Sequence, residues 1–314
     1  MRYIEELKEN DHLIGHFFCK SKQSLKSRSG KTYLSLKLQD KTGVVDAKVW
    51  EMNNDIQAFE EGEIIKIDGT VLTYQNDLQI KVNKLRQSQP GEYEPADFIP
   101  CTEKDVGQMY SQITEYVGSI SHPFIKRLVK NILIDDAEVA QLLKTHTAAK
   151  NLHHGFMGGL LEHTLSVTQT CDFLSGRYKY VNRDFLIATA MLHDVGKIYE
   201  LSALPANEYT DEGQMLGHIV IGAEMITGAA NKIEGFPKEL LSLIKHSIIA
   251  HHGEFEFGSP KLPNTLEAFL LHCADNMDAK AKAYEETIDH DRTPGPWAGY
   301  HKMLNRYVRR SDIE

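Results

Sequence analysis

The sequence predicts a multidomain chain, a small all-β barrel at the N-terminus followed by an all-α domain, and three observations predict it. Between Leu13 and about Arg86 apolar residues recur with a period of two, the pattern of half-buried strands. Beyond Glu103 the pattern becomes that of amphipathic and fully buried helices. Between them Gln87 to Pro100 (QSQPGEYEPADFIP) holds three prolines and a glycine and follows neither period. The expected division is residues 1–88 as barrel, 89–102 as linker, 103–150 as a helical bridge packing on the last domain, and 151–314 as that domain.

The barrel strands are expected at Leu13 to Lys22, Lys31 to Gln39, Val44 to Trp50, Glu63 to Thr73 and Leu78 to Leu85, with turn residues between them. A helix is expected at Met52 to Phe59. Five strands with a helix after the third is the layout of the OB-fold barrel, which binds oligonucleotides on one face. The run resembles the OB domains of the tRNA-anticodon-binding type. Its first hairpin carries Lys20, Lys22, Lys26, Arg28 and Lys31 and no acid, with Phe17, Phe18, Tyr33 and Trp50 nearby. Cations that track phosphates and aromatic faces that stack bases suit single-strand binding. The bland alternative is that the aromatics are barrel core and the cations guard a solvated edge.

Helices follow at Glu103 to Ile120, His122 to Ile134 and Asp136 to Thr145, the last capped by Asp135 or Asp136. The centre of the remainder is Phe185 to Lys197, FLIATAMLHDVGK, whose apolar residues cover every face of a helix before it ends in His193-Asp194 and Gly196. A buried imidazole and carboxylate must be hydrogen-bonded, paired or metal-bound. A second His-Asp, His290-Asp291 in TIDHDRTPGP, reads as solvated loop in an uninformative tail. What distinguishes the first is company. His163 in GGLLEHTLSV, His218 in GHIVIGAEM, His251-His252 in LLSLIKHSIIAHHG and Asp275 in LEAFLLHCADNMDAK each punctuate an apolar helical stretch. A helix starts at Pro237 and carries Leu241, Ile244, Ile248 and His251 on one face; Asn264 and Glu267 suggest a capping box for the next. Leu204 to Gly217 reads as an irregular polar loop. His153 and His154, in NLHHGFMGG, read either as active-site imidazoles or as exposed helix-entry residues.

The order H…HD…H…HH…D, with Lys197 in HDVGK, resembles the HD-domain metal-dependent phosphohydrolase superfamily. With the upstream barrel, HHGFMGGLLEHTLSV resembles the YhaM-type 3′-to-5′ exoribonucleases over nearly the whole chain. The resemblance implies that His163, His193, Asp194 and Asp275 hold one metal ion, and that Asp194 bridges to a second held by His218, His251 and His252. It implies Mn²⁺; the ligand chemistry also suits Fe, Zn²⁺ or Mg²⁺. Lys197 is then expected to stabilise charge developing on the phosphate, its bland alternative being a helix-end cation that satisfies the dipole, and His153 or His154 to contact the phosphate or protonate the leaving group. The reaction so implied is stepwise hydrolysis of single-stranded RNA, and by extension single-stranded DNA, to 5′-mononucleotides. Two other readings compete: an HD-type nucleotide or cyclic-nucleotide phosphohydrolase, and a non-catalytic nucleic-acid adaptor.

Composition agrees with an ordinary globular protein, 41% hydrophobic and 25% charged. The net charge of −9 argues against a globally basic nucleic-acid binder, yet residues 1–90 hold 14 Lys and Arg against 13 Asp and Glu, so the acidity lies in the helical part. No apolar run is long enough to span a membrane, no signal-peptide core opens the chain, and Cys19, Cys101, Cys171 and Cys273 lack metal or disulfide spacing. A cytoplasmic protein, compatible with a homo-oligomer, is expected.

Overall fold

The computed structural model describes residues 2–311 apart from 28–29, 75–76, 95–96, 100, 150–154, 205, 291–294 and 302, and excluding the side chain of His290. Arg28, His153, His154 and Asp291 therefore lie outside the described residues. The chain divides into two compact units, the first Met1–Cys101 with Leu204–Ala206 and the second Thr102–Ala203 with Asn207–Glu314.

In the first unit β1 (His12–Lys26), β2 (Thr32–Asp40), β3 (Gly43–Val49), β4 (Ile64–Tyr74) and β5 (Asp77–Gln87) form a closed barrel in the order β1-β2-β3-β5-β4. The long β1 closes it by pairing with β4 through its first half and with β2 through its second. Period-two alternation sends Leu34, Leu36, Leu38, Val45, Ala47, Val49, Ile65 and Ile67 inward. The expected helix at Met52 to Phe59 does not form. Asn53 Oδ1 accepts the Asp55 N–H at 2.9 Å, a side-chain turn that competes with a helix. Ile56 then bridges Leu85 and Phe59 enters the barrel core. The segment read as a linker is also structured: Phe98 is buried, its carbonyl accepts from Gln39 Nε2 at 3.1 Å, and Arg86 grips Glu92. Anchoring by a few side chains leaves no period to read.

The second unit contains α1 (Val106–Ser119), α2 (Pro123–Leu133), α3 (Ala137–Thr145), α4 (Gly159–Ser175), α5 (Arg183–Leu192), α6 (Lys197–Glu200), α7 (Asp211–Asn231), α8 (Lys238–Ala250) and α9 (Leu266–His290). A hairpin, β6 (Trp297–His301) and β7 (Arg306–Arg309), follows. Asp105, Asp136, Asn182 and Thr210 cap their helices through side-chain oxygens. As its composition predicts, α5 is central: every residue from Phe185 to Leu192 is buried. Each fully buried Leu or Ile there contributes roughly 1.5–3 kcal/mol, which anchors the turn that follows.

Three local expectations change. Residues 211–216, read as loop, are helical, and α7 breaks instead at Gly217, whose φ of 73° favours glycine. Thr265, not Asn264, caps α9, because Glu267 is drawn away to accept the Asn182 N–H at 2.8 Å. The backbone of His290 ends α9 rather than lying in a loop, and the tail beyond it contains a hairpin.

Candidate metal centre and nucleic-acid face

Helix ends explain how the site is built. The last carbonyls of a helix lack intrahelical partners. At the ends of α5 and α8, His193 Nδ1 meets Ala190 O at 2.7 Å and His251 Nδ1 meets Ile248 O at 2.6 Å. Next to it His252 Nδ1 meets Phe257 O at 2.8 Å. A carbonyl only accepts, so in all three rings Nδ1 carries the proton and a neutral ring presents a lone pair at Nε2. The other two rings are held by carboxylates: His163 Nδ1 lies 2.7 Å from Asp278 Oδ2, and His218 Nδ1 lies 3.0 Å from Glu200 Oε1.

Glu200 also shows why α7 breaks where it does. Gly217 frees the His218 backbone N–H, which donates to Glu200 Oε1 at 2.9 Å. Gly196 lets α7 approach, since a Cβ there would sit 2.1 Å from His218 O.

Asp194 stands between two groups of imidazoles and divides its oxygens between them. Oδ2 lies 3.4 Å from His163 Nε2 and 3.3 Å from His193 Nε2. Oδ1 lies 3.5 Å from His218 Nε2 and 3.7 Å from His251 Nε2. Asp275 Oδ1 joins the first group, 3.2 Å from His163 Nε2. Ligand atoms of His163, His193 and Asp194, and separately of His218, His251 and His252, are close enough to hold an ion. All seven sequence-predicted ligands thus come together.

The residues fit divalent cations on two counts. Asp194 Oδ1, His218 Nε2 and His251 Nε2 are buried without a hydrogen bond among the described residues, a costly state for three polar atoms in one place. Asp194, Asp275 and Glu200 also bring three carboxylates to bear on one ammonium, that of Lys197, 2.7 Å from Asp194 Oδ2. The protonation pattern shows the same demand for positive charge. Burial would depress the His163 imidazole, but Asp194, Asp275 and Asp278 overcome it and hold its pKa well above the ordinary value. Burial opposes the charge of Asp194, yet Lys197 and His193 hold its carboxyl well below the usual range. His251 goes the other way, its pKa driven well down by burial, as a neutral ligand requires. A cavity of about 170 Å³ opens onto the centre, lined by Ala148, His163, Asp194, Lys197, His252, Asp275 and Ala279.

Sequence reasoning missed Asp278, which accepts from Ser166 Oγ and orients His163, and Glu200, which orients His218. Both lay three residues past a residue already chosen, Asp275 and Lys197, on the same helical face.

On the barrel the expected binding residues separate. Phe18 is 3% exposed and Phe17 is fully buried, so neither offers a face to a base. Lys22 points back to the barrel: its Nζ donates to Phe59 O and lies 4.5 Å from the Phe59 ring centroid. The cause is an irregularity in β1 between Cys19 and Ser21, which shifts the side-chain alternation at Lys20. The cations expected in a loop therefore lie largely on strand, and Lys26 and Lys31 are exposed at its tip. Tyr33 and Trp50 stack with ring centroids 4.6 Å apart, and Trp50 is 43% exposed. Beside them Lys48, unremarked in the sequence, donates to Ser35 Oγ at 2.6 Å.

Residues 160–280 match the HD domain family and residues 19–87 match the OB-fold nucleic acid binding domain family. Solved structures similar to this chain include the second OB-fold domain of replication protein A from Methanococcus maripaludis, at 22% identity and a TM-score of 0.24, covering 29% of this chain and 98% of that one. The OB domain of Ta0387 from Thermoplasma acidophilum is similar at 15% identity and a TM-score of 0.23, over 30% and 90% of the two chains. Among curated proteins, the 3′-5′ exoribonuclease YhaM of Geobacillus sp. (strain WCH70) is 35% identical over 263 residues, 83% of this chain and 80% of the relative. With both domains matched and that identity held over most of both lengths, the chain belongs to the YhaM family of 3′-5′ exoribonucleases.

Proposed function

We propose that the protein is a divalent-metal-dependent 3′-to-5′ exoribonuclease that shortens single-stranded RNA to 5′-mononucleotides, with single-stranded DNA a candidate second substrate. The observation that carries the reading is the convergence of five imidazoles, each fixed through Nδ1, four of them around a buried aspartate whose two oxygens face different histidine groups. In this reading His163, His193, Asp194 and Asp275 hold one ion, and His218, His251, His252 and the second oxygen of Asp194 hold the other. Mn²⁺ is the proposed metal. Two such ions supply Lewis acidity toward phosphoryl oxygens and lower the pKa of a bound water.

The chain's own groups do the rest. Lys197 lines the cavity and places its ammonium to donate to a phosphoryl oxygen where charge develops. Asp278 and Glu200 keep two imidazoles in the ligating tautomer. Tyr33, Trp50 and Lys48 offer the barrel's stacking surface and cation to the unreacted strand. His153 and His154, outside the described residues, are proposed as phosphate contacts. The 3′-to-5′ polarity is supported by the relative's name alone. No described helix is long and apolar enough to cross a membrane, and action in the cytoplasm is part of the proposal.

The test is a 5′-labelled single-stranded RNA and its DNA counterpart incubated with Mn²⁺. A descending ladder of labelled products, abolished by EDTA, is expected. A single internal cut, release of label as a 5′-terminal mononucleotide, or no cleavage would overturn the reading.

A further inference from the structure

The C-terminal hairpin has a composition that its place in an acidic chain does not explain. Pro296 to Arg310 carries Lys302, Arg306, Arg309 and Arg310 and no Asp or Glu, against a net charge of −9 for the whole sequence. Its inward side is small: Ala298, Leu304 and Val308 pack with Ala283 and Tyr284 of α9. Its outward side is large, aromatic and exposed. Trp297 is 57% exposed, Tyr300 48% and Tyr307 67%. Pairing sets Trp297 opposite Arg309, Tyr300 opposite Tyr307 and His301 opposite Arg306. Directly opposed residues share a face of the ribbon, so Trp297, Tyr300, Tyr307 and Arg309 lie on one face, while Arg306, paired with His301, lies on the other and is exposed at its edge. The two tyrosine rings meet edge to face at 5.3 Å. Arg306 and Arg309 hydrogen-bond only backbone carbonyls, those of Leu304 and Arg310, and pair with no carboxylate among the described residues.

A surface that exposes three aromatics among cations is adapted to a ligand that offers flat faces and regularly spaced negative charge. A single-stranded nucleic acid offers both. A duplex hides its base faces, and an acidic peptide has few planes to stack. Position strengthens the argument. The hairpin packs on the same helix that carries Asp275, and Asp275 and Ala283 are eight residues apart, roughly 12 Å at about 1.5 Å per residue. A few stacked nucleotides at roughly 3.4 Å each span that distance.

We propose that this hairpin is a second site for single-stranded RNA within the helical unit, with Trp297, Tyr300 and Tyr307 stacking bases and Arg306 and Arg309 holding phosphates. The proposal rests on the exoribonuclease reading, and it assigns the strand near the cut to the helical unit rather than to the barrel. The measurement is the affinity of the full-length chain, in EDTA to prevent cleavage, for a fluorescent 24-nucleotide RNA and a tetranucleotide over a series of salt concentrations. Arg306→Ala/Arg309→Ala is expected to weaken 24-mer binding about five- to tenfold and to reduce the salt slope by roughly 1.4, at about 0.7 for each single-strand phosphate contact. Trp297→Ala/Tyr307→Ala is expected to weaken it at least about fivefold with the slope nearly unchanged, because stacking carries no counterion release. Arg306→Lys/Arg309→Lys should restore the slope. A wild type that binds and shortens RNA beside variants with unaltered affinity and slope would overturn the hairpin proposal and leave the function standing. So would variants that bind RNA normally but lose a self-association of the wild type in sedimentation, since the face would then be a contact between copies of the chain. A wild type that neither binds nor shortens RNA would remove the function itself.

Discussion

Asp194 is 2% exposed and Trp50 is 43% exposed, and the two functional regions differ throughout in this way. The centre in the helical unit is made of buried polar groups held by helix ends and neighbouring carboxylates. The barrel's candidate face is made of side chains that water already covers. Burial makes a polar residue costly unless something compensates it, so each histidine in an apolar helix is itself evidence of a site. Exposure removes that cost. A lysine on a strand has the same price whether it meets phosphate, a carbonyl or solvent, and its sequence neighbours do not say which.

The first way to break this comparison is at its buried end. His193→Ala should lower RNA hydrolysis at least about 10³-fold, roughly 4 kcal/mol of transition-state stabilisation, with barrel binding of RNA retained. A modest loss would mean that the buried cluster is structural. Phe18→Ala comes next, as the sharpest test of the barrel correction. Truncating a buried Phe costs about 3–5 kcal/mol, so the barrel's melting transition should move while affinity per folded molecule stays constant. Lost affinity in a barrel that melts normally would restore Phe18 as a stacking residue.

Asp278→Asn, through loss of the carboxylate that holds His163, should weaken the first metal site by roughly 10–100-fold, read by calorimetric titration with Mn²⁺. An equal loss at both sites would contradict the separation of the two groups. Tyr33→Ala and Trp50→Ala should each cost about 1–3 kcal/mol in RNA binding; no change in either would leave the stacked pair as barrel decoration. The smallest expected effect is at the second His-Asp pair: His290→Ala should change stability by less than about 0.5 kcal/mol. A metal defect there would show that the dipeptide, rather than its burial, carries the signal.

These expectations also mark how far the sequence could be read. The seven residues gathered at the candidate metal centre were legible because each interrupts an apolar helical run and because their order resembles that of the HD domain. Asp278 and Glu200 were not, because each touches a histidine and not the centre, and a carboxylate one helical turn from a chosen residue looks like any solvated charge. The barrel strands were legible from alternation, but the irregularity at Lys20 changes which residues share a face, and no residue there announces it. The helix expected at Met52 to Phe59 failed for a local reason, the Asn53 turn. The final hairpin was missed because its inward side is only Ala298, Leu304 and Val308, too few apolar positions to set a period.

The central claim is that one carboxylate serves two metal sites through its two oxygens. Metal content and affinity in wild type and Asp194→Ala, measured by mass spectrometry and calorimetry after Mn²⁺ loading, test it most directly. The wild type should bind two ions per chain, and Asp194→Ala should weaken both sites together. One ion per chain in the wild type, or loss of a single site in the variant, would contradict the account.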